Sequence, residues 1–183
     1  MKQIANLLFE ARMLKDLIRS GYAFLGSGKE SIAEHSFITA FICFAMAKMD
    51  ADINSEKLVT MALIHDIAEA RTGDFNYVEK KYSTVDEAKA VSHLIKHISF
   101  GNDIKNLIDE FNSGETKEAK LAKDADQISL ILELKKLDDT GAKGLEKWFS
   151  DVLQRLETDM GKQMAQSIME TRWNEWLLND GSE

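Results

Sequence analysis

The sequence predicts an all-α protein that folds as one compact multi-helix domain over residues 1–183. Apolar residues recur at spacings of three and four along almost the whole chain, which is the period of an α-helix. The chain contains no proline, and its glycines fall mainly between the periodic segments. No segment alternates apolar and polar residues over a length that would build a sheet.

The periodic segments and their end signals define the expected helices in order. Ser31 and Glu34 form a capping box, so a helix should begin just after Ser31. Asn54 or Ser55 can cap the following helix. Further breaks are expected at Thr72-Gly73, at Asp139 to Gly141 and at Gly161. The helices are therefore predicted near residues 2–19, 32–49, 55–71, 84–98, 102–112, 115–138, 143–158 and 161–178.

Composition and charge exclude several functional classes. A net charge of −8 argues against a long nucleic-acid polymer as partner, because phosphate backbones are held by clusters of cations. The single cysteine, Cys43, excludes an intrachain disulfide and suits a reducing compartment. The longest mostly apolar run, Phe37 to Ala47, is too short to cross a bilayer, and the first twenty residues are too charged for a signal peptide. We therefore expect a cytoplasmic protein without a membrane span.

Two histidines lie beside carboxylates in apolar segments. His35 follows the capping box, and His65-Asp66 lies in the run MALIHDIAEA. Burying an imidazole next to a carboxylate is unfavourable unless something satisfies both groups, and a divalent metal ion does so directly. Glu69 is four residues after His65, which puts it on the same helix face, where it suits a general base. Spacing alone leaves a metal site and a buried His-Asp pair equally open.

Three longer strings carry a family resemblance: SIAEHS, ALIHDIAEARTGD and AKLAKDADQISLILEL. They resemble the HD superfamily of metal-dependent phosphohydrolases, and within it the bacterial 5′-deoxynucleotidases and their eukaryotic HD-domain relatives. The resemblance covers about residues 15–140, which would hold the metal site, and it leaves the predicted C-terminal helices of residues 143–178 unmatched. It implies the same all-α HD-domain fold.

The resemblance implies one divalent cation held by a first histidine, the His-Asp pair and a later aspartate. On this sequence the ligands would be His35, His65, Asp66 and Asp126. The family segment K-x-x-D starts at Lys123 and ends at Asp126, whereas the nearby Asp124 is expected on a more solvated flank of its helix. Mixed nitrogen and oxygen ligands suit Co, Mn, Fe, Ni or Zn, and Mg is also compatible.

The resemblance also implies roles around the metal. Glu69 would position or activate the attacking water, and Asp74 of the TGD element would contact the sugar or that water. Arg19 would hold phosphate, with Lys123 as a further cation. Tyr22 stands where the family usually has a tryptophan that selects deoxyribose, so strict preference for deoxyribose is not expected.

The leading hypothesis is hydrolysis of (deoxy)nucleoside 5′-monophosphates to nucleoside and phosphate, by a protein that the resemblance implies to be a homodimer. One alternative is an HD hydrolase of cyclic dinucleotides, triphosphates or guanosine tetraphosphate, and another is a non-catalytic HD module. His93 and His97 are expected on a solvated helix face. The three tryptophans are expected in core or dimer packing: Trp148, Trp173 and Trp176.

Overall fold

The computed structural model describes residues 1–178, and within that range it contains helices and no strand. The predicted all-α class is therefore confirmed. A short 3-10 helix lies at Glu79–Lys81. The α-helices are α1 (Lys2–Met13), α2 (Tyr22–Leu25), α3 (Ile32–Met49), α4 (Ser55–Ile64), α5 (Glu69–Thr72), α6 (Glu87–Leu94), α7 (Gly101–Ser113), α8 (Lys117–Asp139), α9 (Glu146–Leu153), α10 (Asp159–Glu170) and α11 (Glu175–Leu178).

The centre of the molecule is the packing of α3, α4 and α8 against one another, with α7, α9 and α10 against the outer sides of α8 and α4. Their inner faces form the main core, in which Cys43 is fully buried. Burial raises the pKa of the Cys43 thiol to about 12, as expected for an inert structural cysteine. The largest fully buried apolar side chains of this core are Met46, Leu58, Met61, Ile128, Ile131 and Leu134.

A second, smaller core lies where α1, α5, α6 and α7 meet the start of α3. Ile32, at the first turn of α3, is fully buried in it. Its buried members are Leu14, Ile32, Ile67, Ala68, Ala90, Val91, Leu94 and Ile108.

The capping signals before α3 and α4 are confirmed. The Ser31 hydroxyl accepts from the Glu34 backbone N–H (3.2 Å), and the Glu34 carboxylate accepts from the Ser31 N–H (2.6 Å). The Asn54 side chain accepts from Lys57 N–H (3.0 Å), so Asn54 caps α4. The first residues of both helices can be predicted from the sequence because each capping side chain and its partner lie three residues apart.

The predicted first helix, 2–19, is too long. The chain leaves the helix after Met13 because the segment that follows pairs with the approach to α3. Ile18 and Ser31 form an isolated antiparallel bridge. The Arg19 N–H donates to Glu30 O (2.9 Å), and Ile32 N–H donates to Leu17 O (2.9 Å). Arg19 is thereby fixed beside the start of α3.

The predicted helix 55–71 is interrupted at the His65-Asp66 pair. α4 ends at Ile64, and residues 65–68 form tighter turns before α5. Ile67 N–H donates to Ile64 O, and Glu69 N–H donates to Asp66 O, both at 3.0 Å, which is the i to i+3 pattern of a 3-10 turn. Three other predicted helices are shorter or divided: 84–98 is Glu87–Leu94, 143–158 is Glu146–Leu153, and 161–178 is Asp159–Glu170 followed by Glu175–Leu178.

The expectation that Asp124 lies on a solvated flank is wrong. Asp124 is fully buried and accepts hydrogen bonds from the N–H groups of Glu157 and Thr158, both at 2.8 Å, and from the Thr158 hydroxyl at 2.5 Å. It therefore fixes the start of α10 against α8. Gly161 is not a helix break but part of α10, and a Cβ there would lie 2.2 Å from an Asp124 oxygen.

One helix of the described residues, α3, is long and apolar enough to cross a bilayer by length and composition, with a mean hydropathy of 1.3. The apolar run Phe37 to Ala47 is shorter than α3 because it leaves out the polar first turn of the helix, which contains Glu34. Nearly half of the helix is buried in the fold, as expected for the central helix of a globular domain.

Replacing Asp124 should destabilise the fold. Asp124→Ala removes a fully buried carboxylate that accepts from two backbone N–H groups and a hydroxyl, so we expect the free energy of unfolding to fall by about 2–4 kcal/mol. Urea unfolding followed by circular dichroism measures it. The control is Asp109→Ala, which removes an exposed pair with Lys105 and should change stability by less than about 0.5 kcal/mol. Equal effects of the two substitutions would contradict the assignment.

Candidate metal centre

The four predicted metal ligands come together where α3, α8 and the turn after α4 meet. His35 Nε2 lies 3.0 Å from Asp126 Oδ1 and 3.7 Å from Asp66 Oδ2. His65 Nε2 lies 3.1 Å from Asp66 Oδ2. The two imidazole rings meet edge to face, with their centroids 5.4 Å apart. Three separate segments thus bring two imidazole nitrogens and two carboxylates to one meeting point, at which His35, His65 and Asp126 form the compact part and Asp66 lies beside the histidines.

The histidine nitrogens that face this point have no hydrogen-bond partner of acceptable geometry. Both Nε2 atoms are buried, and both rings are held from the other side. His65 Nδ1 donates to the Ala62 carbonyl (2.7 Å), which leaves the Nε2 lone pair free, and His35 Nδ1 lies 3.1 Å from the Ser129 hydroxyl. Donor atoms of His35, His65 and Asp126 lie within 4.8 Å of one another. These residues fit a divalent cation with mixed nitrogen and oxygen ligands.

The charges of the cluster are strongly coupled. Burial lowers the pKa of His35. Burial also acts to lower the pKa of His65, but the carboxylates of Asp66 and Asp126 outweigh it and raise that pKa to about 9. Burial would raise the pKa of Asp126, yet His35 and then His65 and Arg19 hold it below the usual value. The two partly buried carboxylates are therefore stabilised by a nearby positive charge, which a divalent cation would supply without a proton.

Glu69 and Asp74 flank the cluster. Glu69 opens α5, one 3-10 turn after Asp66, and is half-buried. Burial, together with the negative charges of Asp66 and Asp74, raises the pKa of Glu69 to about 9. Asp74 Oδ2 accepts from the backbone N–H (2.6 Å) and the hydroxyl (3.1 Å) of Ser20. The TGD element is thereby tied to the segment that carries Arg19.

Arg19 lies between the cluster and a buried carboxylate that sequence analysis missed. Its Nη1 is 3.8 Å from Asp66 Oδ2, and its Nε is 3.8 Å from Glu30 Oε2. Glu30 is buried and also accepts a long hydrogen bond from the Tyr22 hydroxyl (3.4 Å). Burial raises the pKa of Glu30 to about 7. The sequence offers one indication of this pairing, since Glu30 is the only acidic residue between Arg19 and Ser31.

A cavity of about 710 Å³ adjoins the cluster and is of the size that small-molecule ligands occupy. Arg19, Tyr22, Asp74 and Asp126 line it, so the cavity connects one candidate ligand, Asp126, to residues predicted to contact the substrate. Aromatic and cationic side chains from elsewhere in the chain complete the lining; they include Phe75, Tyr77, Lys80, Lys147, Trp148 and Arg155.

Some of these lining residues were not predicted to face a site. Trp148 packs against the main core, as expected, but it also lines the cavity. The Gln127 side-chain Nε2 donates to Asp126 Oδ2 (2.8 Å), and Arg155 Nη1 donates to the Gln127 side-chain Oε1 (3.5 Å). α8 and the segment after α9 therefore contribute to the wall beside Asp126.

The structure does not bring Lys123 to this cavity. Its amine donates to the Asn112 carbonyl (3.1 Å), at the end of α7, and Lys123 is not among the lining residues. His93 and His97 are exposed, as expected. Trp176 is 72% exposed, which differs from its predicted packing, whereas the Trp173 ring lies beside Lys136.

The chain is similar to known proteins over most of its length. The chain is 29% identical to 5′-deoxynucleotidase hdd1 of Schizosaccharomyces pombe, over 79% of this chain and 85% of that protein. It is 30% identical to 5′-deoxynucleotidase YPTB2590 of Yersinia pseudotuberculosis, over 72% of this chain and 71% of that protein. The crystal structure of the PH0347 protein from Pyrococcus horikoshii superposes with a TM-score of 0.74 at 29% identity, covering 91% of this chain and 98% of that one.

The family model for the HD domain matches residues 11–169 of this chain. The match extends beyond the segment of about 15–140 that the sequence motifs covered, and it includes α9 and almost all of α10. The chain therefore belongs to the HD domain family.

Proposed function

We propose that this chain is a metal-dependent 5′-nucleotidase that hydrolyses nucleoside or deoxynucleoside 5′-monophosphates to the nucleoside and inorganic phosphate. The observation that carries the proposal is the pair of buried, partnerless Nε2 atoms that face two carboxylates beside a cavity lined by Arg19. The relatives named 5′-deoxynucleotidases support the substrate class. Convergence of all four candidate ligands favours an enzyme over a non-catalytic HD module.

The proposed ligands are His35, His65, Asp66 and Asp126, which would hold one divalent cation: Co, Mn, Fe, Ni, Zn or Mg. When bound, the cation lowers the pKa of a coordinated water and draws electron density from a phosphate oxygen. The Ala62 carbonyl and the Ser129 hydroxyl hold the two histidine rings by their Nδ1 atoms, which leaves each Nε2 atom on the side of the proposed cation.

Glu69 is proposed to orient and deprotonate the attacking water. Burial and the negative charges of Asp66 and Asp74 raise its pKa while no cation is bound, and a divalent cation held by the neighbouring ligands would lower that pKa and leave a carboxylate that can accept a proton. Its position one 3-10 turn after Asp66 places it beside the ligand set without requiring it to be a ligand.

Arg19 is proposed to bind the phosphate, with Glu30 as the residue that holds the guanidinium in place. Asp74 would contact the sugar or the attacking water. Tyr22 would lie against the ribose, where a smaller ring than tryptophan would leave more room at the 2′ position. Lys123 is not part of this proposal, because its amine is engaged at Asn112. The homodimer and the cytoplasmic location inferred from the sequence stay predictions.

Phosphate release should depend on both metal and substrate class. We expect EDTA to abolish hydrolysis of 5′-monophosphates, and one or more of Co, Mn, Zn, Fe, Ni or Mg to restore it. A panel of ribo- and deoxyribonucleotides, assayed for free phosphate, should show both sugars hydrolysed, with 3′-monophosphates as the control. Absence of phosphate release with every metal would rule out the nucleotidase.

Replacing the general base should separate chemistry from metal binding. Glu69→Gln is expected to lower kcat by about 10²–10⁴-fold, because the amide cannot accept the proton from water. Calorimetric titration should show its metal affinity almost unchanged. Glu87→Gln, an exposed substitution at the start of α6, is the control and should retain full activity. An unaltered kcat in Glu69→Gln would remove Glu69 from the mechanism.

Removing the buried guanidinium should weaken phosphate binding. Arg19→Ala is expected to reduce kcat/KM by about 10–100-fold, which corresponds to the loss of one or two charge-assisted hydrogen bonds. Arg12→Ala, which removes an exposed arginine that pairs with Asp16 on α1, is the matched control. Steady-state kinetics decides: if the two variants behave alike, Arg19 does not bind phosphate.

A further inference from the structure

The two oxygens of the Asp126 carboxylate have different partners. Oδ1 lies 3.0 Å from His35 Nε2, on the side where the candidate ligands meet. Oδ2 accepts a hydrogen bond from the side-chain Nε2 of Gln127 (2.8 Å). Rotation of the carboxylate about its Cβ–Cγ bond would break this hydrogen bond. The contact with Gln127 therefore keeps Oδ1 as the oxygen that faces the histidines.

This hydrogen bond joins two neighbours on α8 whose side chains a helix normally keeps apart. Adjacent side chains of an α-helix project about 100° from each other and do not face one another. The Gln127 side chain must therefore turn back toward Asp126, and holding its flexible stem in one rotamer costs conformational entropy. The far end of Gln127 is held by Arg155, whose Nη1 donates a long hydrogen bond to Gln127 Oε1 (3.5 Å).

The two partners of Gln127 fix the orientation of its carboxamide. An ionised aspartate can only accept hydrogen bonds, and an arginine can only donate them. Gln127 must therefore turn its NH₂ group to Asp126 and its oxygen to Arg155, which is the arrangement in the structure. A hydrocarbon side chain of the same length would satisfy neither partner.

Arg155 belongs to a segment that is anchored on α8. Two and three residues after it, the backbone N–H groups of Glu157 and Thr158 donate to the buried Asp124 (both 2.8 Å). This anchor limits how far the Arg155 side chain can move from α8. The series of hydrogen bonds that begins at Arg155 and ends at Asp126 therefore starts from a fixed part of the fold.

We propose that Gln127, held by Arg155, is the residue that positions Asp126 for the metal ion. Gln127 acts through Asp126 and is not itself a ligand, so it is a positioning residue. Removing a group that hydrogen-bonds to a metal ligand from its outer side typically costs about 10–100-fold in metal affinity. The inference rests on the metal centre of the proposed function and does not require that nucleotides are the substrate.

Direct contact between Arg155 and the substrate is the alternative. Arg155 is exposed and lines the cavity, so its guanidinium could pair with a phosphate. Positioning is favoured because two successive hydrogen bonds connect Arg155 to the candidate ligand Asp126. The two roles predict different results, since a substrate contact changes KM, whereas positioning changes the binding of the metal alone.

Binding of Co²⁺ without substrate tests the proposal. Gln127→Met keeps the length and the helix propensity of the side chain but removes both polar groups. We expect its dissociation constant for Co²⁺, measured by competition with a chromophoric chelator, to rise by about 10-fold or more. The visible spectrum of bound Co²⁺ should also change, because an Asp126 that is no longer held can turn both oxygens toward the ion.

The matched control is Gln166→Met on α10. Gln166 Nε2 also donates to a carboxylate, that of Glu170 (3.0 Å), but both residues are exposed and neither lines the cavity. Its Co²⁺ affinity and spectrum should equal those of wild type. Circular dichroism and thermal unfolding of the metal-free proteins should show that both variants fold.

A double-mutant cycle tests the part played by Arg155. Arg155→Met removes a positive charge, which by itself favours cation binding, and it also releases Gln127. The charge effect is the same in wild type and in Gln127→Met, so comparing the substitution in both backgrounds isolates the effect that passes through Gln127. We expect Arg155→Met to be at least about threefold less favourable for Co²⁺ binding when Gln127 is present.

Two results would overturn the proposal: a Gln127→Met protein with the Co²⁺ affinity and spectrum of wild type, and a wild type that binds no divalent cation. An Arg155→Met protein that differs from wild type only by a higher KM would assign Arg155 to the substrate instead. If wild type binds Co²⁺ but releases no phosphate, and Gln127→Met binds it more weakly with an altered spectrum, the nucleotidase fails and the positioning role is supported.

Discussion

The candidate site depends on two buried imidazoles that meet two partly buried carboxylates at the centre of a helical fold. These groups lose much of their hydration there, and such groups are tolerated only when something inside the protein satisfies them. The chain satisfies one nitrogen of each imidazole, through the Ala62 carbonyl and the Ser129 hydroxyl. The other nitrogens lie 3.0–3.7 Å from carboxylate oxygens of Asp66 and Asp126. A divalent cation is the simplest species that completes this set.

The rest of the fold holds these groups in position. α3 and α8 cross beside α4, and each contributes one ligand from a side that is otherwise apolar. The bridge between Ile18 and Ser31 sets Arg19 and Glu30 next to each other, although they are eleven residues apart. On α8, two aspartates two residues apart point to different sides of the helix. Asp124 fixes the start of α10, and Asp126 faces the histidines.

Sequence analysis predicted the features that depend on local spacing. Helix periodicity, the capping box at Ser31 and the His65-Asp66 pair are all readable within a few residues. The features that it missed depend on contacts between distant segments. The burial of Asp124 requires the backbone of Glu157, and the position of the Lys123 amine requires Asn112. The contact of Glu30 with Arg19 requires the helix to end before Arg19. The break of the helix at His65 is a tertiary effect too, since the residues that follow, Ile67 and Ala68, are drawn into the second core.

The central claim is that a single divalent cation binds among His35, His65, Asp66 and Asp126. The most direct measurement is an anomalous difference map from crystals grown with Mn or Zn and recorded at the absorption edge of that metal. We predict one strong peak about 2.0–2.3 Å from His35 Nε2, His65 Nε2 and an oxygen of each aspartate. A map with no peak at this point, or with its only strong peak elsewhere on the protein, would contradict the account.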